Sequence, residues 1–484
     1  MNRISRRRFL EQSMLATAAA VAGPAARPVV AQQEQDTSAN ERLSVGVIGV
    51  RGRGSAHARM AAARKDCFIS YICDCDRAIG PKVAARFDGK PKFVEDMRRI
   101  FDDKSVDVVT IATPNHWHSL AAIWAMQAGK DVYVEKPVSH NVSEGRRMVQ
   151  VMEKYRRICQ GGTQHRSTGQ AKAAAEYVRQ GKLGQIKLAK CYMYRPRNHM
   201  GPLGVYEVPE SVDYNLWAGP APMEIPLTRP HFHYDWHWIW NYGNGELGNN
   251  SVHVVDLMRK ITGLTGLGRG VISYGARHFD DAGQTPNTQV TIHDFGPTTV
   301  VQEVRNLKTG PPPQGANIFI EGTEGYLVAT FSGVTAFDPD GKMIEKLTGT
   351  GDDHFADFIE AVHSRKSEDL NAPIIEGHQS TAVVHVANIS QQLGHPASDD
   401  EIKTQLEGLN TNDDVLETFE GIRKHLAENR FDLEKRRIKF GPLTLGPWLA
   451  IDSDTETFPD SPAAAAMLTR EYRKPFVVPT AEEI

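Results

Sequence analysis

Three glycines, Gly49, Gly52 and Gly54, follow a short apolar run (LSVGVIG, 43–49) and precede a stretch with helical texture that begins at Ser55. Glycines so placed let a strand-to-helix turn tighten and bring main-chain N–H groups and a helix dipole up to a pyrophosphate. The usual spacing is G-x-G-x-x-G; counted from Gly49, the middle position is Arg51 and the glycine is displaced to 52, so the approach to phosphate is rearranged. Asp74 closes the next apolar run 20 residues after Gly54. A carboxylate there accepts hydrogen bonds from adenosine ribose hydroxyls and repels a 2′-phosphate, which favours NAD, while Arg51 and Arg77 keep NADP open. A second stretch, HFHYDWHWIWNYG (231–243), interleaves His231, His233 and His237 with Trp236, Trp238 and Trp240. No carboxylate or cysteine spacing reinforces a metal reading, and no metal is expected. Trp236 suits the C–H face of a sugar ring, with His237 and Asp235 binding hydroxyls. Arg195 and Arg197 follow a strand and serve an anionic sugar or the cofactor, or stand at an exposed sheet edge.

The elements that must hold these residues are legible as alternation. Short apolar runs (LSVGVIG, FISYICD, VDVVTIATP, DVYVEKP) are each followed by a helical stretch, which predicts a Rossmann-type doubly wound parallel sheet. From about residue 186 the texture becomes β-rich, and an α+β domain with a large, mostly antiparallel open sheet is expected, its free face suited to self-association into a homo-oligomer. Helices are expected near 353–365 and 377–393, followed by a charged, Pro-rich tail without assigned elements. The expected organisation is therefore 42–160 for the dinucleotide domain, 161–394 for the substrate and oligomerisation domain, and 395–484 for a C-terminal extension.

The 484 residues are 40% hydrophobic and 24% charged, with a formal net charge of −3. That is ample for a folded core and excludes the basic footprint that nucleic acid requires. The five cysteines include no C-x-x-C pair, and most of them read as buried small hydrophobes. Arg6, Arg7 and Arg8 precede Phe9, Leu10 and an Ala-rich run from Met14 to Ala22, the shape of a twin-arginine signal peptide covering 1–31, with a polar linker at 32–41. The apolar run falls well short of the roughly 20 residues of a bilayer span, so no stable membrane insertion is expected. The twin-arginine export machinery is then a partner and the periplasm, or another exported location, the destination. A cofactor loaded before export would travel inside the folded protein.

Two further stretches carry a family likeness: ATPNHWHSLAAIWAMQAGKDVYVEKPVS (112–139) and GNGELGNNSVHVVDL (243–257). With Thr113-Pro114-Asn115, His118 and Glu135-Lys136-Pro137 at this spacing, the chain resembles the glucose-fructose oxidoreductase, inositol dehydrogenase and MocA (Gfo/Idh/MocA) family from about Leu43 to about Gly394, and its closing stretch resembles the tail of an exported bacterial branch. The resemblance implies that Lys136 is catalytic, that Glu135 and Pro137 place it under the nicotinamide, and that Thr113, Pro114, Asn115 and His118 line the cofactor pocket. An ammonium at the C-terminal end of a parallel strand can also hold a hydroxyl and stabilise an alkoxide. The family completes its site with D-x-x-x-H on one helix; here the histidine is His253 and the aspartate position is Asn249. An amide cannot take up a proton, so His253 must act as general base without that relay, and Asp256 or Glu246 are candidates to orient it. On one continuous helix Asn249, His253 and Asp256 fall at i, i+4 and i+7 and share a face. The implied activity is hydride transfer between a nicotinamide cofactor and a sugar or cyclitol hydroxyl. The alternatives are a glycosidase that oxidises, eliminates, hydrates and re-reduces its sugar, and a non-catalytic cofactor-binding sensor.

Asp74→Ala removes both a ribose acceptor and a charge that repels phosphate. Titration of the variant should therefore show a much larger loss of affinity for NAD than for NADP; tighter binding of NADP by the unmodified protein would contradict the assignment.

Overall fold

The computed structural model describes residues 42–484 apart from Asp432 and the side chain of Lys435; the expected signal peptide and linker lie outside the described residues. Strands β1 (Leu43–Ile48), β2 (Cys67–Cys73), β3 (Lys92–Val94), β4 (Val108–Ile111), β5 (Asp131–Val134) and β6 (Cys159–Gly161) form one parallel sheet in the order 3-2-1-4-5-6. Strands β4 and β5 are buried along their whole length, and β1 along all but its first residue. That is why they read as continuous apolar runs and not as alternation: a sheet covered on both faces has no wet side. Helices α1 (Arg53–Ala62), α2 (Asn115–Gln127) and α3 (Val142–Tyr155) supply cover. Strand order reverses between β1 and β4, so the loops after these two strands diverge and leave a crevice at the sheet's C-terminal edge.

The second sheet has eleven strands, most of them joined by antiparallel pairing. Its strands are β7 (Ile186–Tyr194), β8 (Gly270–Ala276), β9 (Thr288–Phe295), β10 (Thr298–Arg305), β11 (Ile318–Gly322), β12 (Gly325–Thr330), β13 (Gly333–Phe337), β14 (Met343–Leu347), β15 (His395–Ala397), β16 (Leu443–Leu445) and β17 (Leu449–Ala450). Only β7 and β10 pair in parallel. One face packs on α4 (Gly169–Arg179), α5 (Val252–Thr262) and α6 (Ile374–Gln392) through Ala174, Val255, Met258, Val383 and Ala387. Helix α6 also reaches the first domain: Thr381 Oγ1 accepts from the Val138 N–H at 3.2 Å.

The opposite face is covered at its centre by the chain's own helices α7 (Asp399–Glu407) and α8 (Val415–Glu428), where Leu406, Phe419 and Ile422 pack on Tyr274, Ile292 and Val301. Farther along the sheet, Phe319, Tyr326 and Phe337 of β11–β13 form a half-buried aromatic row with centroid spacings of 5.4 and 4.9 Å. Beyond β17 the chain returns to the first domain. Tyr472, Phe476, Val478 and Ile484 pack into its core, with Phe476 meeting Trp117 at 5.4 Å and Trp124 at 6.3 Å. All five cysteines are free, Cys75 half-buried and the others buried. Among the described residues no helix is long and apolar enough to cross a membrane.

Phe476 is 1% exposed. Its removal leaves a cavity under two tryptophans, so Phe476→Ala should lower the free energy of unfolding by about 3–5 kcal/mol, read from the urea midpoint. A loss below about 1 kcal/mol would show that the tail does not contribute to this core.

Candidate active site

The crevice at the reversal point opens into a cavity of about 890 Å³. Gly49, Gly52, Asp74, Thr113, Pro114, Asn115, His118, Glu135, Lys136, Arg195, Trp236, His237 and His253 all line it. Gly54, Asn249 and Asp256 do not. Gly54 lies behind the loop: a Cβ there would stand 1.9 Å from the Gly49 carbonyl oxygen, so the glycine is what lets α1 sit against the turn. Gly49 has φ of +78°, and its Cβ would come within 2.8 Å of the Ala112–Thr113 backbone. A Cβ at Gly52, the residue before α1, would meet nothing within 4 Å. The loop thus packs tightly at 49 and 54 and leaves open space at 52, beside the N-terminus of a ten-residue helix. That space, with the unpartnered buried hydroxyl of Thr113, fits a dinucleotide phosphate.

Asp74 follows the end of β2. Its Oδ2 accepts from the Val50 N–H at 2.8 Å and its Oδ1 from the Asp76 N–H at 3.0 Å, which aims the carboxylate along the cleft with lone pairs left for hydroxyls. The adenosine end is walled by a segment of the second domain that crosses the β2 edge: the Asp213 N–H donates to Cys75 O and the Arg77 N–H to Ser211 O, both at 2.9 Å. His233 from the same segment meets Asp76 at 3.1 Å. His231 pairs with Asp235 at 3.0 Å, and His237 Nδ1 turns to the Tyr234 carbonyl while its ring stacks on Trp236 at 3.6 Å. The three histidines of the H-x-H-x-x-x-H stretch therefore go to three different partners. Burial pushes the His237 pKa down to about 3, so the ring that faces the cavity is neutral.

His118, on α2, bridges the two loops that hold the reactive end: Nδ1 lies 2.6 Å from Pro137 O and Nε2 2.8 Å from Thr113 O. Burial lowers its pKa, and a neutral ring donates to only one of the two carbonyls. Asn115 donates to Asn244 Oδ1 at 3.0 Å, tying the Thr-Pro-Asn turn to the second domain. Glu135 is buried, and its Oε1 accepts from Arg53 Nε at 2.7 Å and His57 Nε2 at 3.0 Å. Burial would raise this carboxyl's pKa, but the hydrogen bond and charge of His57, then Arg53 and Lys136, hold it well below the carboxylate range. Lys136 Nζ donates to the main-chain carbonyl of Asn249 at 2.6 Å. Burial lowers its pKa from 10.5, opposed by Glu135 and Glu246.

The helix that carries Asn249, His253 and Asp256 changes pitch inside this stretch. Residues Leu247–Ser251 form a π-helical turn that runs directly into α5 at Val252. Asn249 reaches the site through its carbonyl oxygen, and its side-chain Nδ2 is buried without a partner. Asp256, expected beside His253 or the substrate, instead accepts from Arg166 Nη1 at 3.0 Å and Ser380 Oγ at 2.8 Å. Glu246 is held by Arg197 through two hydrogen bonds of 3.0 and 3.1 Å. Neither carboxylate engages His253, whose Nδ1 is buried without a hydrogen bond. Its ring stands edge-on to His165 at 5.3 Å, and burial, then Lys136 and His165, keep its pKa well below 6.5. Arg195 is exposed at the mouth and donates to Asn250 Oδ1 at 3.2 Å.

Several groups at the site carried no separate signal in the sequence: Arg53, His57, Asp76, His165, and Gln164, whose Oε1 is buried, unpartnered and on the cavity wall.

Two sequence models of one family match the chain, described as an oxidoreductase family with an NAD-binding Rossmann fold over residues 43–163 and its C-terminal alpha/beta domain over residues 197–420. The chain belongs to the Gfo/Idh/MocA oxidoreductase family. It is 28% identical over 236 residues to levoglucosan dehydrogenase of Pseudarthrobacter phenanthrenivorans, covering 46% of this chain and 52% of that protein. It is 30% identical over 130 residues to a glycosyl hydrolase family 109 protein of Shewanella pealeana, covering 25% and 28% respectively. The chain thus spans about half the length of the curated relatives it matches, or less. A solved structure of levoglucosan dehydrogenase in complex with NADH and levoglucosan superposes with a TM-score of 0.52 at 20% identity, covering 71% of this chain and 95% of that one, a likeness of fold.

A neutral imidazole and an ammonium of lowered pKa facing one cavity set a definite pH dependence. If His253 accepts the proton and Lys136 must be charged, activity should rise with pH along a limb below 6.5 and fall along one below 10.5. His253→Ala should cost on the order of 10²-fold or more in kcat. An acid limb at or above 6.5 in the pH–rate profile, or full turnover by the variant, would place the base elsewhere.

Proposed function

We propose that this protein is an NAD-dependent oxidoreductase that moves hydride between the cofactor and a carbinol carbon of a sugar or cyclitol. The observation that carries the reading is the convergence on one cavity of the glycine loop, Asp74, the Thr-Pro-Asn turn, Lys136 and His253. NAD, when bound, supplies the hydride acceptor. Gly49, Gly52 and the start of α1 face its phosphates, Asp74 takes its ribose, and Thr113, Pro114 and Asn115 form the wall of the pocket. Lys136, steadied by the Asn249 carbonyl, holds the substrate hydroxyl oxygen and stabilises the alkoxide, while neutral His253 takes the proton. Trp236 and His237 offer a flat apolar surface and a neutral polar edge for the sugar ring, and Gln164 an unspent amide oxygen.

A redox-neutral variant of the same chemistry has its own support in the likeness to family 109 glycosyl hydrolases. In that reading hydride passes from a sugar carbinol to NAD, a base takes the C–H proton next to the new ketone, the aglycone leaves from the carbon beyond it, water adds across the resulting double bond, and the hydride returns to the ketone. The proposal extends to location: Arg6 to Arg8 direct export by the twin-arginine route, with the cofactor loaded in the cytoplasm and the mature protein in the periplasm, as a homo-oligomer. Arg195 and Arg197 bear on substrate unequally, because Arg197 is occupied by Glu246.

Protein recovered from the periplasm should hold close to one dinucleotide per chain with none added, and changing Arg6 and Arg7 to Lys should leave it in the cytoplasm. Incubation with sugars, cyclitols and aryl glycosides then separates the two chemistries: net NADH formation supports the dehydrogenase, and aglycone release at constant NADH the glycosidase. Cofactor-free exported protein that binds NAD only at millimolar levels, weaker than about −4 kcal/mol, would sink the preloaded mechanism. Unchanged ligand binding and phenotype in Lys136→Ala would point to a sensor.

A further inference from the structure

We propose that Arg53 couples the phosphates of the cofactor to the placement of Lys136, its guanidinium divided between those phosphates and Glu135; this rests on the cofactor reading above. Arg53 is the first residue of α1, directly after Gly52, at the positive end of the helix. Its hydrogen bond to Glu135 uses Nε alone. The side chain is 41% exposed and lines the cavity, and among the described residues no carboxylate hydrogen-bonds to its Nη nitrogens. A planar guanidinium has two separate edges, so the Nη edge can take a phosphate while Nε keeps its carboxylate. His57 lies four residues along the same helix, which puts both donors on the face turned to Glu135; its ring is fully buried and supplies the fixed half of the grip. Arg51 also lines the cavity but pairs with Asp76 at 3.9 Å and makes no ion pair with Glu135, so it cannot couple phosphate to that carboxylate. Glu135 adjoins Lys136 in the chain. A phosphate that immobilises Arg53 therefore immobilises the carboxylate and, with it, the start of the loop that carries the ammonium.

The test is a double-mutant cycle on ligand binding, measured calorimetrically with the full chain freed of bound dinucleotide: wild type, Arg53→Gln, Glu135→Gln and the pair, each titrated with NAD, ADP-ribose and adenosine. Arg53→Gln should weaken NAD and ADP-ribose by roughly 10- to 100-fold, the scale of a charge-assisted hydrogen bond, and leave adenosine unchanged. Glu135→Gln should weaken them by a smaller factor, and the double variant should bind within about twofold of Arg53→Gln, since the two residues act through one guanidinium. Arg53→Lys keeps the charge but not the fork. It should recover most of the affinity and yet show a lowered kcat at saturating NAD, a split that loss of stability alone does not produce. Should Glu135→Gln fail to fold, Glu135→Asp closes the cycle. Multiplicative losses, an equal loss for adenosine, or full kcat in Arg53→Lys would overturn the coupling. Absence of NAD and ADP-ribose binding to the wild type would overturn the cofactor reading and this proposal with it.

Discussion

A carboxylate that has left water next to a buried lysine on the cavity wall is the constraint around which this molecule is arranged. Glu135 follows a fully buried parallel strand, where an unpaired charge is prohibitively costly, so two donors from α1, Arg53 and His57, come to it. Because those donors stand on the helix that follows the glycine loop, the requirement ties the phosphate end of the cleft to Lys136. Gly54 is part of the same arrangement, since only without a Cβ can the helix lie close enough to the turn to deliver Arg53 and His57. Gly162 reports it from the other side, where a Cβ would come within 2.8 Å of the Glu135 carboxyl carbon.

The polar groups of the second domain obey a related rule. Glu246, Asp256 and Asp281, three acids near the substrate end or behind it, are each held by an arginine: Arg197, Arg166 and Arg277. At the substrate end neutral His237 and His253 stand with Lys136, a set that receives hydroxyls and developing negative charge, while the ionised Glu135 beside them is occupied by Arg53 and His57.

Four of the first domain's six strands were legible in the sequence, because parallel strands covered on both faces and crossover helices leave a strong pattern; β3 and β6, three residues each, are too short to leave one. The glycines, Asp74, the Thr-Pro-Asn turn and Lys136 came with it, since each sits at a strand end. The α5 region was read less well. The count of i+4 spacings does not see the π turn at Leu247–Ser251, and of Asn249, His253 and Asp256 it is His253 that lines the cavity. The partners of Asp256 lie at residues 166 and 380, a long-range choice that no local pattern encodes. The helices α7 and α8 were missed because their apolar positions are few and separated by charge, and their apolar stripe has meaning only against the face of the sheet they cover.

The return of the chain to the first domain sets an order of events. Residues 43–163 contain the whole cofactor sheet, yet the apolar side of α2, with Trp117 and Trp124, is closed by Phe476, and Arg473 clasps the carbonyls of Asn215 and Gly219 on the wall of the cleft at 2.6 and 3.0 Å. On the ribosome that side stays wet until nearly everything else has been made. The dinucleotide pocket is therefore finished after translation has passed residue 476, and not as the first domain emerges. A chain pulled through a narrow pore while still being synthesised would never assemble it in the presence of cytosolic cofactor. One that is completed, closed and only then moved can.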